Sequence, residues 1–97
     1  MLRLNCFFRV GEGKKDLALE AAKRLTEESL RQDGCISYDI YVSATREDVL
    51  MICETWRDAE ALKAHADSDV FKREVAILND CGEMKLEQFP FPSNERD

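Results

Sequence analysis

Hydrophobic and polar positions alternate in four stretches of this chain and recur at helical spacing in the segments between them. From Leu2 to Val10, the residues Leu2, Leu4, Cys6, Phe8 and Val10 oppose Arg3, Asn5, Phe7 and Arg9, the period-two signature of a strand. Gly11-Glu12-Gly13 breaks it. From Lys14 to about Gln32, Ala18, Ala21, Ala22, Leu25 and Ser29 make one stripe of small and apolar residues, which predicts an amphipathic helix capped by Gly34. Cys35 to Ser43 alternates again, with Ile36, Tyr38, Ile40 and Val42 against Ser37, Asp39 and Tyr41. After the polar turn Thr45-Arg46-Glu47-Asp48, the stretch Val49 to Trp56 is apolar on both faces, and Glu54 shares the face of Leu50, Ile52 and Trp56. Asp58 is placed to cap a helix through about Ala66, and Ser68 another from Asp69 to about Leu78. Asn79-Asp80-Cys81-Gly82 ends that helix, and Glu83 to Phe89 alternates as a fourth strand.

The order strand, helix, strand, strand, helices, strand predicts an α+β, ferredoxin-like split β-α-β plan: a four-stranded antiparallel sheet with helices on one face. A third strand apolar on both faces needs cover on both. The free face is therefore expected to meet the same face of a second copy in a two-fold homodimer. Phe89-Pro90-Phe91-Pro92 reads as an extended arm reaching the partner, and the expectation is one domain over residues 1–92 with a frayed tail, 93–97.

Composition narrows what such a domain does. At 97 residues the chain buries a thin core unless a partner adds to it. With 20 Asp plus Glu against 14 Lys plus Arg, and the basic residues scattered, no positive face for nucleic acid is expected. No apolar run approaches the ~20 residues that span a bilayer, and the N-terminus lacks the pattern of a signal peptide. A cytoplasmic protein without membrane or nucleic-acid partners is the expectation. Cys6, Cys35, Cys53 and Cys81 form no CxxC pair and no cluster with histidine, so they read as reduced, buried thiols.

Chemistry concentrates at one junction. The only tryptophan, Trp56, and the only histidine, His65, fall with Glu54 inside twelve residues where the third strand gives way to a helix. His65 follows Leu62 by three and Ala61 by four, which puts it on the apolar side of that helix, facing the sheet. It is the chain's best general base, and equally a candidate for a buried histidine that ties helix to sheet. Glu54, a carboxylate in an apolar strand, needs a partner: His65, a substrate hydroxyl, or an arginine such as Arg3 or Arg57. Trp56 is either core or a flat wall for an aromatic ligand. Asn5, an amide within the first strand, bonds either a ligand or solvent.

The run Asp33-Gly34-Cys35 with Tyr38, then Glu54-x-Trp56, then Ala61-Leu62-x-x-His65 followed by Ser68 and Phe71, resembles the antibiotic biosynthesis monooxygenase family of dimeric α+β barrels over about residues 2–90. The resemblance implies a cofactor-independent monooxygenase that oxidises a quinol-like or phenolic aromatic small molecule with O2. In that reading His65 is the base, Asn5 holds the anion or oxygen, Trp56 is a wall, Glu54 assists, and Tyr38 and Phe71 line the pocket. Two alternatives come from other branches of the family. One is haem degradation, for which the iron-ligating position aligns with Val75; the other is isomerisation or simple binding of a small carbonyl metabolite.

Overall fold

The computed structural model describes residues 1–90. Its elements run β1 (Leu2–Val10), α1 (Lys15–Ser29), β2 (Cys35–Val42), β3 (Val49–Trp56), α2 (Ala59–Ala66), α3 (Asp69–Cys81) and β4 (Gly82–Pro90). The four strands form one antiparallel sheet in the order β2-β3-β1-β4, the ferredoxin-like α+β arrangement expected from the alternation. Because side chains alternate across a strand, one face carries Leu4, Cys6, Phe8, Leu50, Ile52, Glu54 and Trp56 inward under the helices. The other carries Arg3, Asn5, Phe7, Met51 and Cys53, which remain partly exposed.

The helices sit where their small residues let them. Ala18, Ala21 and Ala22 of α1 have no exposed surface, so this helix packs closely on α3 and β2, with Leu25 buried beside the cavity described below. α1 is tied to α3 through Glu74, a carboxylate 1% exposed that accepts from Arg24 at 3.1 Å and Arg73 at 3.1 Å. Burial alone would raise the Glu74 carboxyl, but the bonds from Arg24 and Arg73 outweigh it and hold the group below the ordinary carboxylate range. Asp58 and Ser68 cap α2 and α3 as their positions predict, accepting from the backbone N–H of Ala61 and Phe71.

Several boundaries differ from the expectation; α3, for one, runs on to Cys81 where an end near Leu78 is predicted. α1 stops at Ser29, and successive turn bonds from Leu30, Arg31 and Gln32 to Thr26, Glu28 and Ser29 carry the chain to Gly34. Gly34 is thus not the helix cap; it turns the chain into β2 with φ +85°. Phe89 lies in the fourth strand as its alternation predicts, and Pro90, read as part of an extended arm reaching the partner, belongs to β4 as well, opposite Leu2; the rest of that arm and the tail 93–97 lie outside the described residues. Among the described residues no helix is long and apolar enough to cross a membrane.

Gly34 also decides how close α2 comes. A Cβ added there would overlap the methyl of Ala61, and its carbonyl accepts from Arg57 N–H at 2.8 Å. Gly34→Ala combines a left-handed backbone with that overlap and should cost at least ~2 kcal/mol. A urea unfolding midpoint unchanged from wild type would show that α2 shifts freely and does not depend on this contact.

Candidate functional site

The antiparallel register lines up Tyr38, Glu54, Leu4 and Gln88 as one row across all four strands. Ile40, Ile52, Cys6 and Leu86 make the next row. Above this floor, α2 and α3 contribute Leu62, His65, Phe71, Val75 and Leu78, enclosing a cavity of about 220 Å³ with almost wholly apolar walls. The cavity opens beside β4, past the exposed Met84 and Leu86.

His65 reaches this space because α2 is held by its Asp58 cap and by its close approach at Gly34. The imidazole is 2% exposed. Tyr38 lies edge-on at 5.6 Å between ring centroids, Phe71 edge-on at 5.0 Å, and Trp56 tilted by 35° at 4.5 Å. Nδ1 is 2.7 Å from Gln32 Oε1. Nε2 is buried with no hydrogen-bond partner among the described residues, its nearest acidic atom being Glu54 Oε1 at 4.0 Å. Burial disfavours the imidazolium and brings His65 down to about 4, so the ring is neutral near neutral pH.

Glu54 is 3% exposed and receives none of the arginines considered for it. Arg3 Nε donates to Thr55 Oγ1 at 2.8 Å on the opposite sheet face, and Arg57 pairs with Asp33 and Asp58 at the surface. Instead Trp56 Nε1–H donates to Glu54 Oε1 at 2.7 Å, and the Cys6 thiol lies 3.9 Å from Oε2. Desolvation pushes Glu54 up to about 7, and the bonds from Trp56 and Cys6 only partly offset it. Desolvation, with the Glu54 charge behind it, also pushes the Cys6 thiol up to about 12, so this cysteine is a poor nucleophile.

Of the six residues singled out from the sequence, the structure brings five together. His65, Glu54, Tyr38 and Phe71 border the cavity. Trp56 stands behind them, fully buried and holding Glu54, and is not a wall that a ligand would touch. Asn5 is on the other side of the sheet, its amide 3.4 Å from Glu87; within one chain it cannot share a ligand with His65, because odd and even positions of β1 face opposite ways. Gln32 was missed, since nothing in a turn between helix and strand marks it. Cys6 read as a small core residue, which its place beside Glu54 only partly supports.

The chain matches the family model described as antibiotic biosynthesis monooxygenase over residues 1–76. A Bacteroides thetaiotaomicron protein described as a conserved protein of unknown function, "possible oxidoreductase", is 52% identical and superposes with a TM-score of 0.91, covering 93% of this chain and 96% of that one. "Putative monooxygenase YcnE" of Bacillus subtilis is 28% identical over 76 residues, covering 78% of this chain and 80% of that protein. Rv0793 from Mycobacterium tuberculosis, at 18% identity, shares the fold with a TM-score of 0.90 over 98% of both chains.

Proposed function

The chain belongs to the antibiotic biosynthesis monooxygenase family, and from that premise we propose that it oxidises a small phenolic or quinol-like aromatic with O2 without a cofactor. The observation that carries this reading is the buried, unpartnered Nε2 of His65 at the wall of an apolar cavity. A ~150 Å³ apolar site accommodates one benzene ring, so about 220 Å³ suits one substituted ring or a fused pair.

Triplet oxygen reacts slowly with a neutral phenol and faster with its anion, because the anion can give up one electron. The substrate hydroxyl proton passes to His65 Nε2, and the phenolate reduces O2 by one electron. Recombination then forms a C–O bond at a ring carbon that bears hydrogen, para to the hydroxyl in a simple phenol and ortho to it in a hydroquinone, leaving a peroxide anion. The imidazolium returns its proton to the distal oxygen. Loss of that carbon's hydrogen as a proton, with cleavage of the O–O bond, releases water and leaves the quinone, a hydroxyquinone where the substrate is a hydroquinone. The sum is one phenol plus one O2 giving one quinone plus one water, and His65 ends as it began. Glu54, as carboxylate, stabilises the transient imidazolium 4.0 Å away. Apolar walls keep competing water from the phenolate and admit O2, itself an apolar molecule.

The other branches fit this chain less well. Val75 borders the cavity but has no atom that ligates iron, and a space of about 220 Å³ is small for a four-pyrrole macrocycle. No lysine or arginine stands among the described residues that line it, which disfavours a phosphorylated carbonyl substrate. The helix-free sheet face supports a homodimer in which a second copy covers Phe7, Met51 and the half-exposed Tyr41.

Oxygen uptake with one-, two- and three-ring phenols and hydroquinones tests the reading. Stoichiometric uptake with quinone formation is expected for one- and two-ring compounds and not for three-ring ones. A panel that consumes no oxygen above the uncatalysed rate sinks it.

A further inference from the structure

We infer that Gln32 is a positioning residue that holds His65 as its Nδ1–H tautomer and so keeps Nε2 as the one ring atom able to take up and return a proton inside the cavity. The tautomer is argued from the bond to Gln32 Oε1 and the unpartnered Nε2; its consequence for turnover rests on the function proposed above.

His65 forms part of two walls. On one side is the apolar cavity, and on the other an outer groove of about 440 Å³ bordered by Gln32, Asp33, Arg57, Glu60 and Ser68. The groove side meets Nδ1, where Gln32 Oε1 lies at 2.7 Å. An amide oxygen only accepts, so the hydrogen of that bond must belong to Nδ1. A neutral imidazole carries one N–H, which leaves Nε2 with its lone pair. This agrees with the surroundings of Nε2: Glu54 Oε1 at 4.0 Å is too far for a hydrogen bond and already accepts from Trp56. The opposite tautomer would bury an N–H at Nε2 with no acceptor in reach, and would meet Gln32 only with its amide turned over.

The arrangement matters for a reaction that borrows a proton and gives it back. If Nδ1 faced the groove unbonded, the ring could pick up a proton at Nε2 and release one to solvent at Nδ1. The peroxide would then lack the proton it needs to lose water. With Nδ1–H engaged by Gln32, the proton enters and leaves by the same atom.

His65 is the chain's only histidine, so its ring nitrogens are unambiguous in a ¹⁵N-labelled sample. Long-range ¹H–¹⁵N correlation of the ligand-free protein near neutral pH is expected to show Nδ1 protonated and Nε2 bare. Gln32→Leu should yield a mixture or the reverse tautomer and lower kcat about tenfold or more with KM within about twofold. Gln32→Glu, whose carboxylate also only accepts, should restore the wild-type tautomer. Thermal melts of both variants check that the fold stands. Finding Nε2 protonated in the wild type, or the wild-type tautomer intact in a folded Gln32→Leu protein, overturns the proposal. If the tautomers follow this pattern and no phenol is turned over by any variant, Gln32's role stands and phenol oxidation falls.

Discussion

Replacing His65 with glutamine should lower oxygen-dependent turnover of a small phenol by about 10²- to 10⁴-fold, the range ascribed to loss of a positioned general base. Glutamine is polar and of comparable reach, so it can still bond Gln32 and disturbs the packing of Tyr38, Trp56 and Phe71 less than alanine would. What it lacks is a basic nitrogen. Phenol affinity, set mainly by Leu4, Ile52, Leu62 and Phe71 around the ring, should change little by comparison. An oxygen electrode together with a separate binding titration distinguishes the two effects. Turnover within about threefold of wild type would mean that the proton goes elsewhere, with Glu54 as the remaining candidate.

Much of this was legible from residue order, and the parts that were not share a cause. Period-two alternation located all four strands, and Asp58 and Ser68 marked two helix starts, because strand faces and helix caps are local properties. The same alternation put Asn5 opposite Leu4 and Cys6. Its assignment to the cavity came from family likeness, and the register of β1 with β3 overrides it within one chain. Spacing of two put Glu54 and Trp56 on one face. It could not say that the indole would turn its N–H to the carboxylate and stand behind the cavity. Gln32 lies 33 residues from His65 and meets it only after α2 has packed against the turn before β2, a tertiary event with no local trace. Gly34, expected to cap α1, has the positive φ that a capping glycine supplies, but it serves the turn and the approach of α2, not the end of α1.

Glu54 and His65 should impose opposite pH dependences on folding stability, and single substitutions should unmask each. Glu54 is raised from 4.5 to about 7 by burial, so its contribution to stability is full below about 4.5 and is lost as pH rises through 7. His65 is lowered by burial from 6.5 to about 4, so its contribution is full above about 6.5 and is lost as pH falls through 4. At about 1.4 kcal/mol per pH unit, each displacement is worth roughly 3 kcal/mol. In the wild type the two largely cancel between pH 4.5 and 6.5. Glu54→Gln removes the acid-favouring member, so stability should fall by roughly 3 kcal/mol as pH drops from 6.5 to 4. His65→Gln removes the other, and stability should instead rise by a similar amount as pH drops from 7 to 4.5. Urea unfolding across this range measures both, and the surface carboxylates common to all three proteins drop out of the differences. Slopes of the same sign in the two variants, or slopes equal to wild type, would mean that these groups do not titrate as a buried acid and a buried base. The carboxylate support assigned to Glu54 during turnover would then fall as well, since it requires that Glu54 lose its proton near neutral pH while His65 is still uncharged.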